Sequence, residues 1–434
     1  AELPAYGMVS LVPAEEQTKA EDEVVLTQVG ETYVLENRQV KAVVDGKGEV
    51  ISFVLKTSGR EFAAEPLNRF HLYKDVPRLF DAWDIDSNYK EQEITAAEDV
   101  KVSVLQAGSL RGVLKVTGRI SNSSFVQYIR LDAESTRLEF ETVIDWKELH
   151  RLLKVAFPVR VFAENGINEM QFGYVERPTR RSRTYDKDRF EVCNHRYSAL
   201  CDGAHGAAVL NDCKYGISMN ENALELTLLR AAAAPEMHAD NREHHFTYAF
   251  TAWEGSFADS DVVRQGYELN VKPVVTNGTA DAFSLFDVEK NNVILESVKL
   301  AEDGSGDLIL RLYESRKAAV QTALSTSLPV AKAWSCTMLE EKEEEQTVEN
   351  PVRLQNPEGE VSFEHISFGY DPEQIIIHDF SAEVHQGQKV AIVGPTGAGK
   401  TTLVKLLMRF YDVNNGSIKV DGHDVRNFNR GDLR

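Results

Sequence analysis

From residue 32 onward, apolar and polar positions alternate with a period of two. This spacing sends successive side chains to opposite faces of a strand. Val40, Ala42 and Val44 lead into Asp45-Gly46-Lys47-Gly48, and residues 50–55 return, which predicts a hairpin. The clearest alternation is Leu138, Phe140, Thr142, Ile144 and Trp146, with Arg137, Glu139, Glu141 and Asp145 filling intervening positions. It predicts a strand with one buried and one wet face. Similar runs at 110–120, 125–131, 152–161, 207–210, 223–229 and 245–250 leave room only for short helices. Short strands at hairpin distances with no strict repeat predict a large antiparallel β-sandwich over 31–265. Residues 1–30, apolar at 8–12 and acidic from 15 to 23, read as the tail of a preceding β-unit. A smaller β-domain over 266–338 is predicted from 292–300, the turn Asp303-Gly304-Ser305-Gly306 and 308–314, with further strands in 319–334.

The pattern then changes. The run Leu339-Glu340-Glu341-Lys342-Glu343-Glu344-Glu345-Gln346-Thr347-Val348-Glu349-Asn350 sets six glutamates against one lysine. It has too little apolar surface to offset the entropy of ordering it, which predicts a solvated acidic linker over 339–354. Beyond it, Lys389-Val390-Ala391-Ile392-Val393 reads as a strand of buried type. Residues 402–408 place Leu403, Leu406 and Leu407 on one face of a helix. The predicted fold class is mainly β: a large antiparallel sandwich plus a small β-domain, followed by a truncated α/β phosphate-loop segment over 355–434.

Between that strand and helix, Gly394-Pro395-Thr396-Gly397-Ala398-Gly399-Lys400-Thr401-Thr402 fits the spacing G-x-x-x-x-G-K-[ST]. Glycines let backbone N–H groups turn inward around phosphate oxygens, and the helix N-terminus adds its positive end. In this pattern Lys400 reaches the β- and γ-phosphates and Thr401 ligates magnesium, which makes ATP with Mg the expected cofactor.

At 434 residues two or three domains are expected. Lys+Arg 48 against Asp+Glu 68 gives a net charge of −20, a surface that repels phosphate backbones and argues against a nucleic-acid partner. Ala1-Glu2-Leu3-Pro4 is no basic start to an apolar core, and no apolar run approaches bilayer length. The expectation is a soluble, cytoplasmic chain without a membrane span. The four cysteines, Cys193, Cys201, Cys213 and Cys336, are too few for a disulfide framework. The spacing of Cys193, His195, Cys201 and Cys213 matches no paired short-loop zinc pattern.

Several words in the left part carry a resemblance. Asn68-Arg69-Phe70, Asp81-Ala82-Trp83-Asp84, Phe172-Gly173-Tyr174-Val175-Glu176-Arg177-Pro178, Arg189-Phe190-Glu191-Val192, Leu210-Asn211-Asp212-Cys213-Lys214-Tyr215-Gly216 and His245-Phe246-Thr247-Tyr248 resemble, in this order, the C-terminal β-region of the family 38 α-mannosidases over residues 1–335. The resemblance implies a glycosidase that cleaves α-mannosides with retention and a mannoside or glycan as partner. Such hydrolysis needs two carboxylates about 5–5.5 Å apart. In the family those groups and the zinc ligands belong to an N-terminal α/β domain that no part of this sequence matches, so catalytic residues are not expected here.

Within the left part, Arg177, Arg181, Tyr185 and Asp186, with Arg180 and Arg183 nearby, are the candidate carbohydrate-facing residues, since polar forks beside an aromatic ring grip sugar hydroxyls. Asp84 and Asp86 would share a face if extended, and Glu243-His244-His245 reads as the start of a strand. In the right part, residues 361–370, Gly387-Gln388-Lys389-Val390 and 416–422 resemble the start of an exporter-type ABC-transporter ATP-binding domain, with Tyr370 where that family stacks an aromatic ring on adenine. To Arg434 the sequence holds no glutamine loop, signature motif, acidic metal strand or switch histidine, so the resemblance implies ATP binding without turnover. Three readings stay open: a mannosidase β-region without its catalytic domain, an ATP-binding module with a β-rich partner, and a joined product of two unrelated frames meeting between about Thr347 and Pro357.

Overall fold

The computed structural model describes residues 6–11, 23–95, 97–342, 354, 357–371, 374–394, 399–428 and 433. The chain divides into two compact units, residues 1–298 with 310–328, and residues 299–309 with 329–434.

The first unit is built from antiparallel sheets. A nine-stranded sheet runs in the order Gly173–Pro178, Asn165–Met170, Tyr197–Cys201, His205–Asn211, Glu243–Glu254, Leu138–Asp145, Ser123–Asp132, Arg111–Ile120 and Glu98–Ala107. A six-stranded sheet is ordered Val192–Cys193, Gly216–Asn220, Ala223–Arg230, Arg151–Pro158, Arg69–Lys74 and Glu93–Thr95. A five-stranded meander runs from Val25–Val29 to Arg60–Glu61 and contains the predicted hairpin of Val40–Val44 and Val50–Leu55. It begins inside the segment the sequence suggested was a tail.

One continuous apolar core fills the space among the three sheets. Aromatic rings mark where they meet: Phe53 of the meander stands edge-on to Phe250 of the nine-stranded sheet at 4.9 Å, and Phe157 of the six-stranded sheet stacks on Phe250 at 5.6 Å. A polar knot sits in this core. Asn68 donates to Gln127 at 2.7 Å and accepts from the Tyr248 hydroxyl at 2.7 Å, while Gln127 donates to Thr142 at 3.0 Å. Each group has a partner, as burial demands.

Among the described residues, the α-helices with defined bounds are α1 (Thr184–Lys187), α2 (Val262–Asn270) and α3 (Lys400–Leu407). Val262, Val263 and Leu269 of α2 pack with Tyr197, Ala199, Ala208, Leu210 and Ala249 on the second face of the nine-stranded sheet. Gly206 is required there, because a Cβ would lie 1.9 Å from the Trp253 indole.

This second layer corrects one expectation. Leu138, Phe140, Thr142, Ile144 and Trp146 are all buried as the alternation predicts, but Glu139 on the opposite face is only 6% exposed. It pairs with Arg137 at 2.6 Å and with Arg130, and Arg137 also donates to the Gln265 carbonyl of α2 at 3.1 Å. The face is wet only farther along, where Glu141 is exposed and Asp145 half-buried.

In the second unit, Ile377–Val384, Val361–Phe368, Asn415–Val420 and His423–Asp424 form a four-stranded antiparallel sheet. Leu403 and Leu406 of α3 join Phe363, Ile366, Phe368, Ile377 and Ile418 in its core, and Leu407 packs at the margin as predicted. The expected strand at 389–393 is not formed: these residues carry no strand, and Val390, Ile392 and Val393 are exposed, the last at 87%. A strand of this type depends on parallel neighbours and cover on both faces. Among the described residues, none pairs with it.

The acidic run is partly held. Glu340 pairs with Lys299 at 2.7 Å and accepts the Glu302 N–H, and the Lys342 ammonium lies 3.8 Å over the Trp334 ring. Residues 343–353 of the predicted linker lie outside the described residues.

Candidate functional site

The outer face of the six-stranded sheet carries Lys154 and Leu152, which alternate with Leu153 and Val155 of the core. Two loops close over it. Ile85 and Tyr89 from one and Phe190 from the other pack on Tyr73 and Leu152. Beneath them the fully buried Lys154 ammonium donates to Glu191 and, at 2.8 Å, to Thr227. The Tyr89 hydroxyl donates to the same Glu191 carboxylate at 3.0 Å. Burial pushes the Lys154 ammonium toward its neutral form, against the opposing charges of Glu191 and Glu225.

The first loop is braced by Arg230. Its guanidinium pairs with Asp75 at 2.6 Å and donates to the carbonyls of Asp84, Asp81 and Ala82 at 2.6, 3.1 and 3.3 Å. Asp81 accepts the N–H groups of Ala233 and Ala234 at 2.8 and 3.0 Å and lies 3.2 Å from His150. Slight burial raises the Asp81 carboxyl, but these N–H groups and His150 outweigh it and hold the group below its usual range. Asp84 and Asp86 lie on this loop and not on a strand, and Asp86 is 3.6 Å from Arg78.

The second loop contains Arg181, Tyr185 and Asp186 of the predicted carbohydrate-facing residues, while Arg177 lies on the strand Gly173–Pro178 that leads into it. Tyr185 is exposed, with the guanidinium groups of Arg183 and Arg189 5.7 and 5.4 Å over its ring. Asp186 is buried and accepts the Arg183 N–H at 3.2 Å, which closes the turn of α1. Arg177 donates to Asn168 at 2.7 Å and to the Cys193 carbonyl at 3.1 Å, and Arg181 donates to the Phe190 carbonyl at 3.4 Å. The arginines therefore hold the loop while Tyr185 faces outward. Glu243 begins its strand, with His245 paired to it at 2.7 Å. The four cysteines are free, and among the described residues no three His, Cys, Asp or Glu side chains converge as metal ligands. Sequence reasoning missed the Lys154–Glu191 pair and the exposed Phe80 and Trp83; the apolar run around Lys154 was the available signal.

In the second unit, Gly399 has φ +79° and precedes α3, and a Cβ there would meet Ile377 at 3.1 Å. The Lys400 ammonium donates across the loop to the Gly394 carbonyl at 2.9 Å. Gly399 at the N-cap of α3 has no side chain to cap it, and a helix N-terminus suits an anion. Thr401 is exposed beside Lys400. Tyr370 packs edge-on to Phe368 and Tyr411 at 5.2 and 5.1 Å, and its hydroxyl lies 3.1 Å from that of Thr402. Pro395, Thr396, Gly397 and Ala398 lie outside the described residues. The described residues of the loop fit a phosphate group. Among the described residues, no helix is long and apolar enough to cross a membrane.

Comparison with known proteins finds two families along the chain, and the first of them extends from the first unit into the second. Residues 35–238 match the glycosyl hydrolases family 38 C-terminal domain, and 292–370 match the family 38 C-terminal beta sandwich domain. Residues 377–434 match the ABC transporter family model. Human alpha-mannosidase 2C1 is 38% identical over 326 residues, covering 73% of this chain and 31% of that protein. A Mycobacterium bovis fatty acid ABC transporter ATP-binding/permease protein is 50% identical over 92 residues, 21% of this chain and 15% of that one. The chain thus spans less than a third of these relatives. An alpha-mannosidase from Enterococcus faecalis V583 shares the fold with a TM-score of 0.58 at 16% identity, over 71% of this chain and 40% of that one. Residues 35–238 and 292–370 therefore resemble the C-terminal domains of glycosyl hydrolase family 38, and residues 377–434 resemble an ABC transporter.

Proposed function

We propose that residues 31–265 serve as the carbohydrate-associated β-region of an α-mannosidase-type glycoside hydrolase, with 266–338 as an adjoining β-domain and 339–354 leading to an ATP-binding segment at 355–434. The observation that carries this reading is the 38% identity with a curated α-mannosidase along 326 residues. The loops braced on the six-stranded sheet support it, since recognition side chains on a rigid scaffold sit where a sugar can meet them. Tyr185 supplies the exposed ring, Arg177 and Arg181 set the loop, and Asp186 fixes its turn. In the second unit Lys400 would hold the phosphates of ATP and Thr401 its magnesium, the nucleotide supplying a polyanion for the loop. Tyr370 is the ring offered to adenine. The negative chain makes nucleic acid a poor partner, and we place the protein in the cytoplasm.

Calorimetric titration of the full chain with methyl α-mannoside, and separately with MgATP, tests both halves. Saturable heat in each supports the reading. Absence of mannoside binding removes the first half, and ATP binding that survives Lys400→Ala removes the assignment of the second.

A further inference from the structure

We propose that Phe80 and Trp83 form a stacking platform for a hexopyranose ring of an oligosaccharide, an inference that rests on the α-mannoside reading above. Trp83 is 76% exposed and Phe80 66%, with Leu79 and Val76 exposed beside them. Single exposed apolar residues are ordinary, but four within eight residues are a local concentration of exposed apolar surface. The loop carrying them is held firmly. The backbone carbonyls on both sides of Trp83 are fixed by Arg230, and the N–H groups of Trp83 and Asp84 donate to the Phe80 carbonyl at 2.8 and 2.9 Å. Phe80 itself sits at φ +55°, a conformation that costs a bulky residue energy and persists where surrounding contacts impose it. Two exposed rings thus stand on a backbone segment that is held in place.

The neighbouring side chains favour a sugar. Arg78, Asp84 and Asn88 are exposed on the same segment, and Asp86 answers Arg78 at 3.6 Å. The dry centre of a protein interface is depleted in charge. A pyranose suits both features: its C–H face lies against an aromatic plane, and its hydroxyls meet carboxylate, amide and guanidinium groups around the rim.

Tryptophan fluorescence tests this on the full chain. Trp146 and Trp253 are buried, so a change on titration with methyl α-mannoside or mannotriose arises from Trp83 or the half-exposed Trp334. The expected result is a saturable change that persists in Trp334→Phe, vanishes in Trp83→Ala and weakens about tenfold in Phe80→Ala. Unchanged urea midpoints establish that the variants fold. Mannoside binding by calorimetry that is undiminished in Trp83→Ala overturns the platform while keeping the α-mannoside reading. Binding of methyl α-glucoside but not the mannoside, lost in Trp83→Ala, keeps the platform and overturns that reading. Sugar-insensitive self-association abolished by Trp83→Ala assigns the patch to a second copy and overturns the proposal.

Discussion

The Lys154 ammonium is fully buried and donates to the carboxylate of Glu191, which also accepts from Tyr89 and Thr227. The pair ties the loop that carries Glu191 to the sheet strand Arg151–Pro158. Removing one member of a buried ion pair leaves an uncompensated charge. Lys154→Met is therefore expected to cost about 3 kcal/mol. The double variant Lys154→Met with Glu191→Gln should recover most of that loss. Urea unfolding of the single and double variants measures the coupling, and additive losses would contradict it.

Glu139 provides a pH dependence. Burial pushes its carboxyl up, but Arg137 and Arg130 outweigh burial and hold it below its ordinary value of 4.5. A carboxyl depressed in the folded state contributes stability that is fully present above the unfolded value and is lost as pH falls through the folded value. Glu139→Gln should lower stability at neutral pH by about 3 kcal/mol. It should also flatten the decline below pH 4.5. Thermal melts across that window check both.

The phosphate loop yields two separable effects. Gly399→Ala places a side chain at φ +79° and against Ile377, and should destabilise the second unit by about 1–2 kcal/mol. Lys400→Ala keeps the backbone and should leave melting nearly unchanged while weakening MgATP binding at least about tenfold. Calorimetry beside thermal melting separates the two.

The units should also differ in protection. The first has an extensive core shared by three sheets, whereas the second buries one small cluster and exposes its apolar run at 389–393. Local stability follows buried apolar contact. Native-state hydrogen exchange should show the strands Val361–Phe368 and Asn415–Val420 opening at lower free energy than Leu138–Asp145. Equal protection would count against this.

What the sequence determined by itself is what short-range periodicity specifies. The hairpin of Val40–Val44 and Val50–Leu55, the buried series from Leu138 to Trp146, and the Leu403 and Leu406 face of α3 depend on residues close along the chain. The phosphate-loop spacing is local too. Tertiary structure decided the rest. Glu139 follows a polar pattern but is buried, because α2 arrives from more than a hundred residues later and shares Arg137 with it. Lys154 and Glu191 meet across 37 residues, a pairing no local pattern records. Residues 389–393 have the apolar content of an inner strand but no described partner, and a strand exists only where another supplies its hydrogen bonds. Local pattern sets which face of an element is apolar; what covers that face, or pairs with that edge, depends on chain brought from elsewhere.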